Sequence, residues 1–165
     1  MTTTEPLVTS KNERPMPQRQ EAIFRCILVP IDFGEPSRKA LELAVGLAKT
    51  YGSSLTILHT FEFPAYASVG SLEVGADLLS PVRDAAKDEL DRELSDLRRQ
   101  LPSAQGVLVM GVADEEILGA IREYRADLVV MGTHGRRGLS HALLGSVAEK
   151  VVRMSPVPVL TVRGS

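Results

Sequence analysis

The chain has 165 residues, 44% of them hydrophobic and 24% charged, which suits one globular unit with a full core. A formal net charge of −2 gives no general attraction to nucleic acid or an anionic membrane. Tryptophan is absent and aromatic residues make up 4%, which removes the usual stacking platforms for single-stranded nucleic acid.

No run approaches the roughly 18 apolar residues of a membrane span. Residues 1–21 lack the apolar centre of a signal peptide and are rich in Thr, Pro, Arg and Gln, with Pro6, Pro15 and Pro17. They read as a disordered tail before a folded domain at 22–165, and the expectation is a cytoplasmic protein without membrane or nucleic-acid partners. The single cysteine, Cys26, cannot form an intrachain disulfide. Its neighbours Ile27, Leu28 and Val29 predict a buried, inert thiol.

The first element is the short apolar run 23–31, bounded by Asp32-Phe33-Gly34. Its length and β-branched content predict a strand buried on both faces, as in a parallel sheet. A helix follows, with Gly34 or Ser37 as cap and Pro36 in the first turn. Ala40, Leu43, Ala44, Leu47 and Ala48 recur along it at helical spacing, and Gly52 ends it.

Residues 54–60 read as the second strand and 61–77 as a long loop. Pro81 then opens a helix to about residue 100. Val82, Ala86, Leu90, Leu94, Leu97 and Leu101 share its inner face, and Asp88 and Arg92 form an i,i+4 pair. Residues 106–112 form a third strand. Asp114, Glu115 and Glu116 open the next helix, where the positive end of the macrodipole favours acids. Residues 127–131 give a fourth strand, 145–154 a helix and 157–162 a last strand. Strand and helix alternate throughout, which predicts an open, doubly wound parallel sheet with helices on both faces.

The informative segment is Met131-Gly132-Thr133-His134-Gly135-Arg136, continuing through Leu143-Leu144-Gly145-Ser146-Val147. It follows a buried strand and opens a helix, where an α/β sheet presents amides to an anion. Gly132 and Gly135 would admit a ligand to the main chain, and Gly145 and Ser146 would offer free amides and a hydroxyl to phosphate. No Gly-Lys-Ser/Thr is present, and the glycine spacing is not that of a dinucleotide fingerprint. Taken alone, the loop is equally well accounted for by turn chemistry. His59, His134 and His141 lack metal-type spacing and read as ordinary sheet-end and loop residues.

The spacing Gly132-x2-Gly135-x9-Gly145-Ser146 resembles the nucleotide-binding signature of the ATP-binding universal stress proteins. The likeness extends over residues 24–163 and includes Ile27-Leu28-Val29-Pro30-Ile31-Asp32, Leu58-His59-Thr60 and Gly111-Val112-Ala113-Asp114. The resemblance implies five strands in the order 3-2-1-4-5, an adenine nucleotide alpha-hydrolase-like fold. It also implies roles. Pro30, Ile31 and Asp32 would line the adenosine end, and Thr60 would meet adenine through its backbone. Gly132 would lie beside the ribose, with Met131 among the nucleotide-binding residues, while Gly135, Gly145, Ser146 and Val147 would hold phosphates. Charge alone would let Arg136 reach them, and an exposed loop cation accounts for it equally well.

The function these features imply is ATP binding in a regulatory or stress-response role, with Mg²⁺ as a companion ion and little or no hydrolysis. Cyclic AMP binding, slow ATP hydrolysis and a nucleotide-free dimeric scaffold stand as alternatives. The apolar last strand, at the sheet edge in that order, predicts a homodimer.

Overall fold

In the computed structural model, which describes residues 23–62, 75–134 and 144–164, the first apolar run forms β1 (Cys26–Pro30). It begins later than the expected residue 23, where the carboxylate of Asp127 holds the amides of Arg25 and Cys26. Arg25 N–H donates to Oδ2 at 2.7 Å and Cys26 N–H to Oδ1 at 3.0 Å. Cys26 is half-buried rather than fully buried, with Sγ 3.2 Å from the Tyr124 carbonyl.

The chain continues as α1 (Glu35–Tyr51), β2 (Ser54–Phe61), α2 (Gly75–Arg98), β3 (Gln105–Met110) and α3 (Ala113–Glu123). β4 (Leu128–Gly132), α4 (Ser146–Met154) and β5 (Val159–Val162) complete it. The five strands form one sheet in the order β3-β2-β1-β4-β5, and every pairing is parallel. This is the open α/β sheet expected, with the winding direction reversing between β1 and β4.

Two apolar layers flank the sheet. Ile27, Val29 and Ile57 point to one side and pack with α1 and α2 through Ala44, Leu90 and Leu94. Leu28, Leu58 and Val129 point to the other and pack with α3 and α4 through Ile117, Ile121 and Val151. Alternation along strands covered on both faces explains why β1 reads as continuously apolar.

Four sequence expectations are revised. The buried stripe of α1 runs through Ala40, Leu41, Ala44, Val45 and Ala48, whereas Leu43 is 42% exposed. α2 starts at Gly75, with Pro81 inside it. The upstream residues Ala76, Leu78 and Leu79 are good helix formers and carry the helix past the proline. Val82 is exposed although expected on the inner face. Arg92 turns its Nε–H to the Asp88 carbonyl oxygen at 3.1 Å, a backbone contact in place of the expected ion pair. Residues 1–21, and most of the expected loop at 61–77, lie outside the described residues.

Candidate functional site

The site begins where β1 leaves the sheet. Pro30 is in register with Leu58, and Ile31 N–H still donates to the Leu58 carbonyl at 2.8 Å. The chain then turns through Phe33, a non-glycine residue at φ 63°. Its buried ring lies 4.5 Å from that of His59, centroid to centroid. His59 Nδ1 is 2.7 Å from the Ile31 carbonyl oxygen. A carbonyl only accepts, so Nδ1 carries the hydrogen and His59 braces the turn from β2.

This turn delivers Asp32 to the first turn of α1. Asp32 Oδ1 accepts from Ser37 Oγ–H at 2.6 Å and from Gly34 N–H at 3.0 Å. Gly34 is the N-cap and a proline occupies the first turn, as expected, but the Ser37 hydroxyl clasps Asp32 rather than capping the helix. Gly132, at the end of β4, faces the same turn. A Cβ there would lie 2.9 Å from Ser37 N and from Pro36 C. The glycine is required by helix–strand contact, a reason distinct from the ligand approach the sequence suggested.

β2 continues past the end of β1, to Phe61. Backbone groups alternate sides along a strand with a period of two. Leu58 O points toward β1, where it meets Ile31, and Phe61 O points toward β3, where it meets Gly111. The N–H and C=O of Thr60 therefore point to β1's side, into the space β1 has vacated.

The far wall is the start of α4. Gly145 is its N-cap in extended conformation, with no side-chain cap hydrogen bond. Glu149 N–H closes the first helical bond to Gly145 O at 2.9 Å. The amides of Ser146, Val147 and Ala148 thus have no intrahelical acceptor, and the positive helix end faces the opening. Gly145 N–H donates to the Thr133 carbonyl at 2.7 Å. Its amide is consumed in holding α4 against β4, which corrects the expectation that it offers a free donor.

These parts enclose a cavity of about 480 Å³, within the range of small-ligand sites. Pro30, Ile31, Asp32, Thr60, Met131, Gly132, Gly145, Ser146 and Val147 all line it. Gly135, Arg136 and His141 lie outside the described residues. Sequence reasoning assigned no role in the site to Ser37, Thr133, Ile117 or Leu144, which also line it, and read His134 only as a loop residue. Ile117 belongs to the apolar stripe of α3 and gave only a core signal.

Beside the cavity, α3 is tied to α4. Asp114 is 8% exposed, and its Oδ2 lies 3.1 Å from Lys150 Nζ. The acid thus sits where it complements the α3 dipole and also pairs with a residue of α4, one of the two helices that wall the site.

The model of the universal stress protein family matches residues 24–163. Universal stress protein YxiE of Bacillus subtilis is 32% identical over 148 residues, spanning 86% of this chain and 100% of that relative. Universal stress protein MJ0577 of Methanocaldococcus jannaschii is 26% identical over 155 residues, spanning 86% and 96%. The solved structure of MJ0577 superimposes with a TM-score of 0.72. A universal stress protein solved in complex with cAMP has a TM-score of 0.60 at 26% identity, covering 86% of this chain and 98% of its own.

Proposed function

The chain belongs to the universal stress protein family, and from that premise we propose that its cavity binds an adenine nucleotide, ATP foremost, in a regulatory or stress-response role with little or no hydrolysis. The observation that carries this reading is the cavity's two unlike ends. One end has main-chain donors and acceptors at Thr60 beside the Asp32 carboxylate; the other has the amides of Ser146 and Val147 at a positive helix end.

Adenine, with a donor and an acceptor on one edge, suits the paired backbone groups of Thr60. The ribose suits Asp32 and Gly132, flanked by Pro30, Ile31 and Met131. Phosphates suit α4, with Gly135 assigned by the family signature and Arg136 by its charge. Asp32 is the one carboxylate among the described lining residues, and Ser37 and Gly34 already hold its Oδ1. Mg²⁺ would therefore enter on the phosphates, and in-line water attack lacks a second acid to orient it.

Cyclic AMP is the second reading, favoured by the structural relative that holds it. Mass spectrometry of natively purified protein, followed by competition between ATP, GTP and cAMP, tests both. Adenine nucleotide carried through purification and displaced by ATP supports the first reading. Stronger competition by cAMP would replace it with the second, and no binding of any nucleotide would leave a scaffold. A cytoplasmic homodimer joined through β5 completes the proposal.

A further inference from the structure

Thr133 and His134 follow β4 directly and lie against the start of α4. The buried Thr133 places Oγ1 3.1 Å from His134 Nδ1. The other ring nitrogen, Nε2, is shut off from solvent. Among the described residues it is the one buried side-chain nitrogen or oxygen without a hydrogen-bond partner. Folded proteins ordinarily avoid that condition, and a buried orphan calls for an explanation. The ring edge bearing Cδ2, the atom bonded to Nε2, is turned toward α4: a Cβ built on Gly145 would lie 3.9 Å from Cδ2. His134 also lines the cavity.

We propose that His134 is a phosphate-binding residue of this cavity, its Nε2–H donating to a phosphoryl oxygen held at the start of α4. The inference rests on the nucleotide reading above. Where the Thr133 hydroxyl donates to Nδ1, the ring hydrogen is on Nε2. His134, Ser146 and Val147 line the same cavity, so Nε2–H would add a donor to the free amides at the start of α4. An anionic, oxygen-rich group satisfies such a set, and a neutral sugar or base does not. The residue has nothing to offer the adenosine end, so its contribution is selective for phosphorylated ligands.

Titration calorimetry of the full chain with ATP and adenosine tests the assignment. His134→Asn keeps a polar group near Nδ1 and removes Nε2, whereas His134→Gln sets an amide nitrogen near Nε2. His134→Asn is expected to weaken ATP by roughly 10- to 100-fold, the scale of a hydrogen bond to a charged group. His134→Gln should stay within about threefold of wild type, and adenosine should bind all three proteins alike. Unchanged ATP affinity in His134→Asn, with wild type binding normally, overturns the assignment. Parallel loss of ATP and adenosine does so too, since it marks a residue that shapes the fold. Wild type that binds neither ligand removes the nucleotide reading and this inference with it. Nitrogen-15 NMR of the unmutated imidazole gives a reading independent of variant folding. The expected result is a protonated Nε2 whose resonance shifts with AMP and not with adenosine; a bare Nε2 overturns the proposal.

Discussion

Gly132 and Ser37 meet so closely that a methyl group on the first would sit 2.9 Å from the backbone nitrogen of the second. Ser37 in turn holds the Asp32 carboxylate at 2.6 Å. The end of β4, the first turn of α1 and the exit of β1 are thereby locked into one unit.

Gly132→Ala should therefore act on both stability and binding. The clash falls on backbone, which cannot rotate away, so overpacking should cost about 1–3 kcal/mol. The same displacement of α1 loosens Asp32. Ser37→Ala should cost about 1 kcal/mol through the lost hydrogen bond alone. Urea melts of the two variants check the order; Ser37→Ala proving the more damaging would mean the hydroxyl, not the close approach, organises this corner.

The two ends of the cavity should separate by mutation. Asp32→Ala is expected to weaken adenosine and ATP alike, whereas Ser146→Ala should spare adenosine. Saturating ATP at ~100 Kd should add roughly 2.7 kcal/mol of stability in wild type. At ~2–4 °C per kcal/mol for a chain of this size, that is a melting shift of several degrees. GTP should shift it less if, as proposed, the Thr60 backbone reads the adenine edge. Equal shifts with ATP and GTP would remove the adenine assignment, and equal losses in both variants for both ligands would show that the two ends have been misassigned.

The β5 edge gives a test of assembly. Pro158 O and Val162 O accept from β4, so the period of two turns Thr161 outward. Exposed Val152, Met154 and Leu160 lie on α4 and β5. Thr161→Pro removes an outward N–H while leaving the β4 ladder its partners. Sedimentation should show a dimer in wild type and a monomer in this variant, with circular dichroism confirming that the variant is folded. A wild-type monomer at tens of micromolar would refute the dimer, and an unchanged dimer in the variant would move the interface elsewhere.

The Asp114–Lys150 pair predicts a link between helix spacing and the site. Lys150→Met should cost about 1 kcal/mol, a modest value because the lysine is half-exposed while its partner is buried. A double-mutant cycle with Asp114→Asn isolates the coupling. A coupling energy of zero would reduce Asp114 to a dipole partner for α3.

The order of elements was legible because strands covered on both faces and amphipathic helices leave different periods in a sequence. The phase of α1 was not. Ala40, Ala44 and Ala48 belong to two overlapping stripes, one completed by Leu43 and Leu47, the other by Leu41 and Val45. Only the position of the sheet chooses the second. The glycines of the candidate site were visible, but their reasons were not, since Gly132 answers to α1 and the Gly145 amide to Thr133. Ser37 looked like a cap because a serine at a helix start usually is one, and its bond to Asp32 leaves no periodic trace. Asp114 and Lys150 stand 36 positions apart, with no local pattern to join them.

β1 ends while its neighbour β2 runs on, and this leaves a notch in the sheet floored by main-chain atoms of Thr60. Whatever fills the notch takes the place of the missing strand and is met there by peptide groups. Peptide groups are the same in all residues but proline, so the side chain at position 60 is free to vary without altering what the floor recognises. On the adenine reading, discrimination at that end depends on the length of a strand, and a change that lengthened β1 by a residue pair would fill the notch and carry Ile31 and Asp32 away from their present places.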